Sequence, residues 1–464
     1  MRRTVMSMNK FALLAVLVAG CATQPNYERP AVELPQAWKA TAPRFAVDGR
    51  WWKIYGDPTL DQLVDEALAH NSDVALAVAR VDEARALLGV TQSRLWPTVD
   101  ATFDRSRSLS STATGLLPPN IPREQNNYRA AINVSYEIDL WGRLRAAVGA
   151  QRADLLASES AHDTVRLALV AEVARSYFAL TALDARVELT RRTVGLREDA
   201  LKLQRRRNDN GLISDYELRQ LEAEAATVRA LLPPLERDRD IEESALSVLL
   251  GRSPRTIFEG SVPRAQAANQ PMSTALPDGL PSELLLRRPD LVEAEQRLVA
   301  ANARVAQVRA TIFPSIVLTG FLGSESAALS GLFSGPAGIW TLAASLAQPI
   351  FQAGRIEAET AAAQAREQQA LIQYQRAIQT AFREVRDALN AQTRARESFD
   401  AESARVQALS ETLRLARRRY EHGLASQLDV LDSERGLLTA EQSRIDALRA
   451  QRAAVADLYK ALGG

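Results

Sequence analysis

The sequence is poor in the residues that build metal sites and disulfides, with one cysteine and three histidines in 464 residues. So few thiol and imidazole groups make up no metal site, and a lone cysteine excludes a disulfide framework. The 57 basic and 56 acidic side chains give a net charge of +1, which provides no field to attract nucleic acid. No HExxH, GxSxG, GxGxxG or P-loop motif occurs, so we expect neither an enzyme nor a cofactor.

Long apolar runs are also missing, since no stretch of 18 or more apolar residues follows the N-terminal segment. This excludes a membrane-spanning helix, so any membrane crossing requires a β-barrel. The ten-residue apolar run 11–20, preceded by Arg2, Arg3 and Lys10, has the form of a secretory signal peptide. It ends directly before Cys21, as in a bacterial lipobox, although an ordinary signal peptide with a chance cysteine is the alternative. We predict that Cys21 becomes the first residue of the mature chain after cleavage and carries N-acyl and S-diacylglycerol lipid.

The two halves of the chain resemble each other at an offset of 212 to 217 residues. Residues 203–222, LQRRRNDNGLISDYELRQLE, match residues 415–434, LARRRYEHGLASQLDVLDSE. Residues 94–98 match 311–315, and Gly142-Arg143 match Gly354-Arg355. Because the three matches occur in the same order, we predict a twofold internal repeat. Each half is predicted to contain a helix, a β-hairpin, a long helix, a tight turn and a second long helix.

The long helices are predicted from helical periodicity and from the absence of proline between residues 123 and 232 and after residue 349. A helix from Arg143 to about Asn208 would extend roughly 100 Å. The glycines Gly211 and Gly423 have the position of residues that end a helix before an antiparallel partner. Pro233 and Pro234 are expected to kink the returning helix of the first half, and the second half has no counterpart.

Four segments alternate between apolar and polar residues and have about the length of a tilted transmembrane strand. They comprise residues 97–110, 128–140, 315–322 and 339–348. The chain alone is equally compatible with two hairpins on a soluble domain, but the export signal favours the membrane. Four strands cannot close a barrel in lipid, so the protomer must oligomerise. A dimer would give eight strands with a filled interior, and a trimer twelve strands with a conduit.

The sequence resembles the outer-membrane factor family, the TolC-like exit ducts of tripartite efflux and type I secretion systems, and specifically its lipoprotein efflux branch. The matching motifs are spread over essentially the whole chain that follows the signal peptide. They are Cys21 with Pro25, Tyr27, Arg29 and Pro30; Trp51-Trp52; Asp57-Pro58; Asn71-Ser72-Asp73; Leu280-Pro281-Ser282 to Arg288-Pro289-Asp290; Ala300-Ala301-Asn302-Ala303; and Tyr420-Glu421-His422-Gly423 to Leu431-Asp432.

The resemblance implies a mixed α and transmembrane β fold, in which a homotrimer forms a twelve-stranded β-barrel continued by a twelve-helix periplasmic α-barrel. The predicted segments are the signal peptide 1–20, the acylated extension 21–60, first-repeat helices 61–96, first β-hairpin 97–140, first long helical hairpin 141–251, equatorial connector 252–281, second-repeat helices 282–312, second β-hairpin 313–349 and second long helical hairpin 350–464.

The resemblance also implies two functional regions. The first region consists of the tip turns that dock a periplasmic adaptor protein. The residues that match these turns are Gly211, Leu212, Ile213, Gly423, Leu424 and Ala425. The second region is a gate that closes the periplasmic end at rest. Leu428 matches the residue of its apolar constriction, and its polar network is matched by Tyr420, Asp432 and Arg435. Because a threefold ring of Asp432 carboxylates would repel itself, an Arg435 reaching across a protomer boundary is a sensible latch. A solvated Asp432–Arg435 pair within one helix is the alternative.

We therefore predict the lipid-anchored outer-membrane exit duct of a tripartite pump, which passes drugs or other small toxic compounds out of the periplasm. Its implied partners are an adaptor and an inner-membrane transporter of the RND type. A heavy-metal or type I secretion duct is the alternative, and Asp100, Asp104, Glu137 and Asp139 favour an interior that tolerates cations. A structural periplasmic coiled-coil lipoprotein is the alternative from another class of protein.

Overall fold

The fold is described from a computed structural model, which describes residues 27–30, 50–113, 121–264 and 286–464. The predicted signal peptide, Cys21 and residues 265–281 of the predicted connector lie outside these ranges. The described chain divides into two compact units, the first formed by residues 27–30, 80–113, 121–159 and 293–375, and the second by residues 50–79, 160–264, 286–292 and 376–464. In the described parts of the chain, no helix is both long and apolar enough to cross a membrane.

The first unit contains a four-stranded antiparallel sheet in the order β1-β2-β3-β4. Its strands are β1 (Thr98–Leu109), β2 (Glu124–Ile138), β3 (Ser315–Ser326) and β4 (Gly338–Ala347). Both predicted hairpins are present, and pairing of β2 with β3 joins them into one sheet. Strands β1 and β4 form its two edges, where backbone groups remain available for another strand.

The sheet has one apolar and one polar face, because residues that lie opposite each other on neighbouring strands share a face. The apolar face is largely exposed in the single chain. It carries Val99, Ala101, Phe103, Tyr128, Ala130, Ile132, Val134, Tyr136, Ile138, Ile316, Leu318, Leu322, Trp340, Leu342, Ala344 and Leu346. The opposite face carries mainly polar residues, among them Asp100, Thr102, Asp104, Arg129, Asn133, Ser135, Glu137, Thr319, Thr341 and Ser345.

Two strands are longer than the alternating pattern indicated. Strand β2 begins at Glu124 instead of Tyr128, and β3 continues to Ser326 instead of ending at Leu322. The added residues are polar on both faces and are held by ladder pairing, such as that between Leu109 and Glu124. Alternation marks only the part of a strand that has an apolar face, so it underestimated the length of both strands.

The strand-to-helix junction in the first unit is fixed by local polar contacts. The Asp139 carboxylate accepts hydrogen bonds from the N–H groups of Leu144 (3.0 Å) and Arg145 (2.8 Å). These bonds cap the start of helix α3 (Arg143–Asp209), which follows α1 (Pro58–His70) and α2 (Ser72–Ser93). The Trp141 ring stacks on Phe313, with ring centroids 4.7 Å apart. The junction therefore connects the end of β2 to both the long helix and the start of β3.

The remaining helices are α4 (Asp215–Ala230), α5 (Leu232–Leu249), α6 (Pro254–Glu259), α7 (Pro289–Arg309), α8 (Arg355–Glu421) and α9 (Gln427–Leu462). The kink predicted in the returning helix of the first half is present as an interruption, since α4 ends and α5 begins around Leu231. Pro233 and Pro234 lack the N–H groups that a continuous helix needs, and their rings crowd the carbonyls four residues earlier. The second returning helix, α9, has no proline and runs unbroken for 36 residues.

The second unit has an aromatic and aliphatic core that joins residues 51–57 to α3 and to the end of α9. The Trp51 ring is stacked on Tyr459 with centroids 5.2 Å apart. The Tyr177 hydroxyl donates to Asp57 (2.5 Å), whose carboxylate also caps α1 through the N–H of Thr59. Because Asp57 caps it and Pro58 suits its first turn, α1 begins three residues before the predicted boundary at residue 61.

Candidate functional site: the helical tips and a buried ion pair

Two turns join the long helices to their returning helices, and both lie in the second unit. The first tip comprises residues 207–217 and the second tip residues 419–429. In the first tip, the N–H of Gly211 donates to Asn208 O and the N–H of Leu212 donates to Arg207 O, both at 2.8 Å. This pair of hydrogen bonds is typical of a helix end at which the residue after the helix has a positive φ. Gly211 has a φ of 71°.

The second tip repeats the first bond for bond. Gly423 also has φ of 71°, and the N–H of Leu424 donates to Arg419 O at 2.7 Å. Each returning helix then begins with a capping box, in which Ser214 pairs with Glu217 and Ser426 with Asp429. The matched sequences therefore form matched turns, as the internal repeat indicated.

The tips expose apolar side chains at corresponding positions of the two repeats. Leu212 is 67% exposed and Leu424 is 68% exposed, whereas the neighbouring Ile213 and Ala425 are half-buried. Leu428, assigned to the gate from the sequence, lies in the first turn of α9 and is 45% exposed. Its counterpart in the first repeat is Tyr216, which is 76% exposed. Both tips thus present a pair of exposed apolar or aromatic residues.

Arg435 forms an ion pair that links a helix of the second repeat to a helix of the first. Its Nε donates to Glu224 Oε2 at 2.9 Å, and its Nη2 contacts the other oxygen of the same carboxylate. Its Nη1 also donates to Asp432 Oδ1 at 3.2 Å. Arg435 is thus paired within its own chain, between α9 and α4. A contact of Arg435 across a protomer boundary stays a prediction.

Glu224 is the residue of this network that the sequence analysis missed. It is buried, with 7% of its surface exposed, and lies beside the apolar cluster of Leu201, Leu221, Ala225 and Leu431. The hydrogen bonds from Arg435 hold the pKa of Glu224 below its ordinary value, so the carboxylate is ionised and paired. A sequence signal was available, because Leu221, Glu224, Ala225 and Val228 form one helical stripe in which a carboxylate needs a partner.

Tyr420 is placed in the last turn of α8 and is half-buried. Within the described chain, no hydrogen bond joins its hydroxyl to Asp432 or Arg435. The structure therefore brings Asp432 and Arg435 together with Glu224 but leaves Tyr420 outside this group. Leu428 and Tyr420 remain predictions from the resemblance.

Each repeat also has ion pairs of its own close to the tip. Glu434 accepts from Arg417 (2.8 Å) and pairs with the buried Arg197 (2.7 Å). In the first repeat, Glu222 accepts from Arg205 at 3.0 Å and from the more exposed Arg219 at 2.7 Å. Arg205–Glu222 and Arg417–Glu434 join each long helix to its own returning helix close to the tip. Arg197–Glu434 instead joins α3 to α9, and Arg219–Glu222 lies within α4.

Three comparisons place this architecture among known proteins. The sequence model of the family "outer membrane efflux protein" matches residues 63–252 and 280–464. The antibiotic efflux pump outer membrane protein ArpC of Pseudomonas putida is 33% identical over 99% of this chain and 95% of ArpC. The probable outer membrane lipoprotein SilC of Salmonella typhimurium is 32% identical over 98% of this chain and 99% of SilC.

The cation efflux system protein CusC of Escherichia coli is 33% identical over 97% of this chain and 98% of CusC. A crystal structure of CusC, described as a transmembrane channel, superimposes with a TM-score of 0.85 and covers 95% of this chain and 99% of that chain. The predicted fold class, the efflux function and the outer-membrane location are confirmed by these matches. The chain belongs to the outer membrane efflux protein family.

Proposed function

We propose that this protein is the exit duct of a tripartite efflux pump, through which drugs or other small toxic compounds leave the periplasm. The observation that carries the proposal is the two-faced sheet, in which an exposed apolar face lies opposite a polar face. An apolar face of this kind suits lipid, and a polar face suits a water-filled channel. A soluble domain would instead cover the apolar face with its own core.

The sheet supports a homotrimer. Its edge strands β1 and β4 are unpaired within the described chain, and lipid tolerates no open edge. Joining β4 of each copy to β1 of the next closes a barrel of twelve strands with room for a conduit, whereas a dimer would close eight strands around a filled interior. The continuous helices α3 and α8, 67 residues each, then extend the wall of the channel into the periplasm.

The tips and the ion pair support a gate controlled by docking. The exposed Leu212 and Leu424 offer apolar contacts for a periplasmic adaptor, which would connect the duct to an inner-membrane transporter of the RND type. The Arg435–Glu224 pair holds α9 against α4 near the same end of these helices. Contacts that move α9 must separate this pair, so adaptor docking and opening share one mechanical element.

The lipid anchor on Cys21 lies outside the described residues, and it is proposed from the lipobox and from the similarity to SilC. The nearest described segment is held against α7. Arg29 binds the Glu295 carboxylate through Nε (2.7 Å) and Nη2 (2.8 Å), and the Tyr27 hydroxyl also contacts Glu295. Six residues separate Cys21 from Tyr27, so their Cα atoms can be at most roughly 21 Å apart.

Two observations bear on the substrate class. Relatives with nearly the same identity are named for antibiotic efflux and for cation efflux. The acidic side chains that favoured a cation-tolerant interior are partly neutralised, because Glu137 binds Arg143 at 2.7 Å and Asp139 caps α3. We favour drugs, with heavy metals as the alternative.

Deletion of the gene, with complementation by the wild-type chain, tests the proposal. We expect increased susceptibility to antibiotics and organic solvents, restored by the wild-type gene. Increased susceptibility to copper and silver salts alone would instead support the heavy-metal duct. Purified protein should conduct ions in planar bilayers, and a protein that neither conducts nor forms a trimer would support the coiled-coil lipoprotein.

A further inference from the structure

On strand β1, the apolar face of the sheet ends in two arginines, Arg105 and Arg107, next to the loop between β1 and β2. Along β1, the side chains on this face are Val99, Ala101 and Phe103, followed by Arg105 and Arg107. The register places Arg105 opposite Tyr128 and Arg107 opposite Asn126. Two arginines thus continue the column of side chains that begins with three apolar residues.

The position of the two arginines matches the margin of a membrane. Along β2, the apolar rows run from Ile138 to Ala130, a span of about 27 Å at ~3.4 Å per residue. A strand tilt of about 40° reduces this span to roughly 21 Å, comparable with the ~25 Å apolar band of outer-membrane barrels. The next row, with Tyr128 and Arg105, therefore lies where hydrocarbon gives way to lipid headgroups, the usual depth of aromatic girdles.

The contacts of the two arginines differ. The Arg105 guanidinium lies over the Tyr128 ring, 5.6 Å from its centroid, and the described residues provide it with no carboxylate. Arg107 is paired with Glu124. Because the Tyr128 ring orients the guanidinium without neutralising it, Arg105 retains donors for an anion at the headgroup level.

We propose that Arg105, assisted by Arg107, binds a phosphate group of the glycolipid that forms the outer leaflet of the outer membrane. Planar guanidinium groups bind phosphate oxygens through paired hydrogen bonds, and the adjoining apolar column accommodates acyl chains. The proposal rests on the proposed function, because it requires the apolar face to be in contact with the outer membrane. It adds a lipid site on the outside of the channel, separate from the path of the exported compound.

The chain provides a matched control on the other face of the sheet. Arg129 adjoins Tyr128 in β2, and its guanidinium lies over the Phe321 ring at 4.2 Å, so it resembles Arg105 in residue type and aromatic contact. Its side chain is on the polar face, away from lipid in the proposed assembly. A general loss of positive charge would affect both variants, whereas a lipid site would affect only one.

The test uses the full-length protein, purified as a trimer in nonionic detergent and titrated with diphosphoryl lipid A by native mass spectrometry. We expect apparent affinity to fall about tenfold in Arg105→Gln and about twofold to threefold in Arg107→Gln, with Arg129→Gln unchanged. Lipid A stripped of its phosphates should bind as weakly to the wild-type protein as diphosphoryl lipid A binds to Arg105→Gln. Inorganic phosphate at 10 mM should not displace the lipid.

Several results would overturn the lipid site. They are equal affinity of the wild-type protein and Arg105→Gln, an equal loss in Arg129→Gln, undiminished binding of phosphate-free lipid A, or displacement by inorganic phosphate. If Arg105→Gln does not assemble, Arg107→Gln and the two forms of lipid A still decide the question. Failure of the proposed function is separate, since it would appear as a wild-type protein that forms no conducting channel.

Discussion

The two tips of the molecule are nearly identical in construction, but the helices that return from them differ. Each tip has a glycine at φ of 71°, an exposed leucine after it and a serine capping box. From the first tip, α4 returns for 16 residues and is then interrupted near Leu231, whereas α9 returns from the second tip without a break. The repeat therefore preserved the turns while the returning helices diverged.

The Arg435–Glu224 ion pair uses positions that the two repeats do not share. The counterpart of Arg435 in the first repeat is Ala223, and the counterpart of Glu224 in the second repeat is Gly436. By contrast, the pairs Arg205–Glu222 and Arg417–Glu434 occur in both repeats. The difference separates scaffold from mechanism: the shared residues build two equivalent tips, and the unshared residues make the contact that we assign to the gate.

Arg435→Ala changes a position that the two repeats do not share, and it should have the largest effect on resting conductance. It leaves the buried Glu224 carboxylate without its cation, which we expect to cost about 2 kcal/mol, because Arg435 is itself half exposed. The resting channel should then leak, with single-channel conductance several-fold above that of the wild type in planar bilayers. Arg219→Ala is the control, since it removes an exposed partner of Glu222 in the first repeat. Unchanged conductance in Arg435→Ala would remove Arg435 from the gate.

Acid should weaken the same contact in the wild-type protein. The folded-state pKa of Glu224 is below its ordinary value, so the ion pair is intact at neutral pH and is lost as the pH falls through that lower pKa. We expect a flat conductance from neutral pH down to the ordinary titration range of glutamate and an increase only at more acidic pH. Glu224→Gln should leak at neutral pH and lack the acid step. Identical pH profiles for the two proteins would show that another group controls acid opening.

Leu428→Ala should produce a smaller effect, confined to the second tip. If Leu428 forms the apolar constriction, shortening its side chain widens the closed end and raises resting conductance about twofold to threefold. Tyr216→Ala changes the corresponding residue of the first repeat, and we expect its conductance to match that of the wild type. Equal leaks from both variants would assign the constriction to the two tips together.

The sequence was sufficient for features that depend on local residues. The repeat predicted both tips, and the alternating segments predicted the strands of both hairpins. Pairing of β2 with β3 was not predicted, because the strands are far apart in the sequence and both of their apolar faces remain exposed in the single chain. Periodicity gives the face of a strand but not its neighbour.

Glu224 was missed for a different reason. The resemblance directed attention to the second repeat, where Asp432 and Arg435 lie, and a partner in the first repeat has no motif of its own. Its only sequence signal is a carboxylate within the apolar stripe of α4, which identifies a buried charge but not the residue that pairs with it. Long-range ion pairs of this kind require the packing of α9 against α4, which is known only from the structure.

Removing the capping serines should give the smallest effect and separates the two returning helices most finely. Ser214→Ala and Ser426→Ala each remove one capping box, so both should cost about 1 kcal/mol locally. The consequences should differ in extent, because α4 ends near Leu231 and has few turns to hold it, whereas α9 continues into the core. In amide hydrogen exchange, we expect Ser214→Ala to lower protection along all of α4, and Ser426→Ala to lower it only in the first turn of α9. Equal spreading in both helices would mean that the break at Leu231 does not isolate α4 from α5.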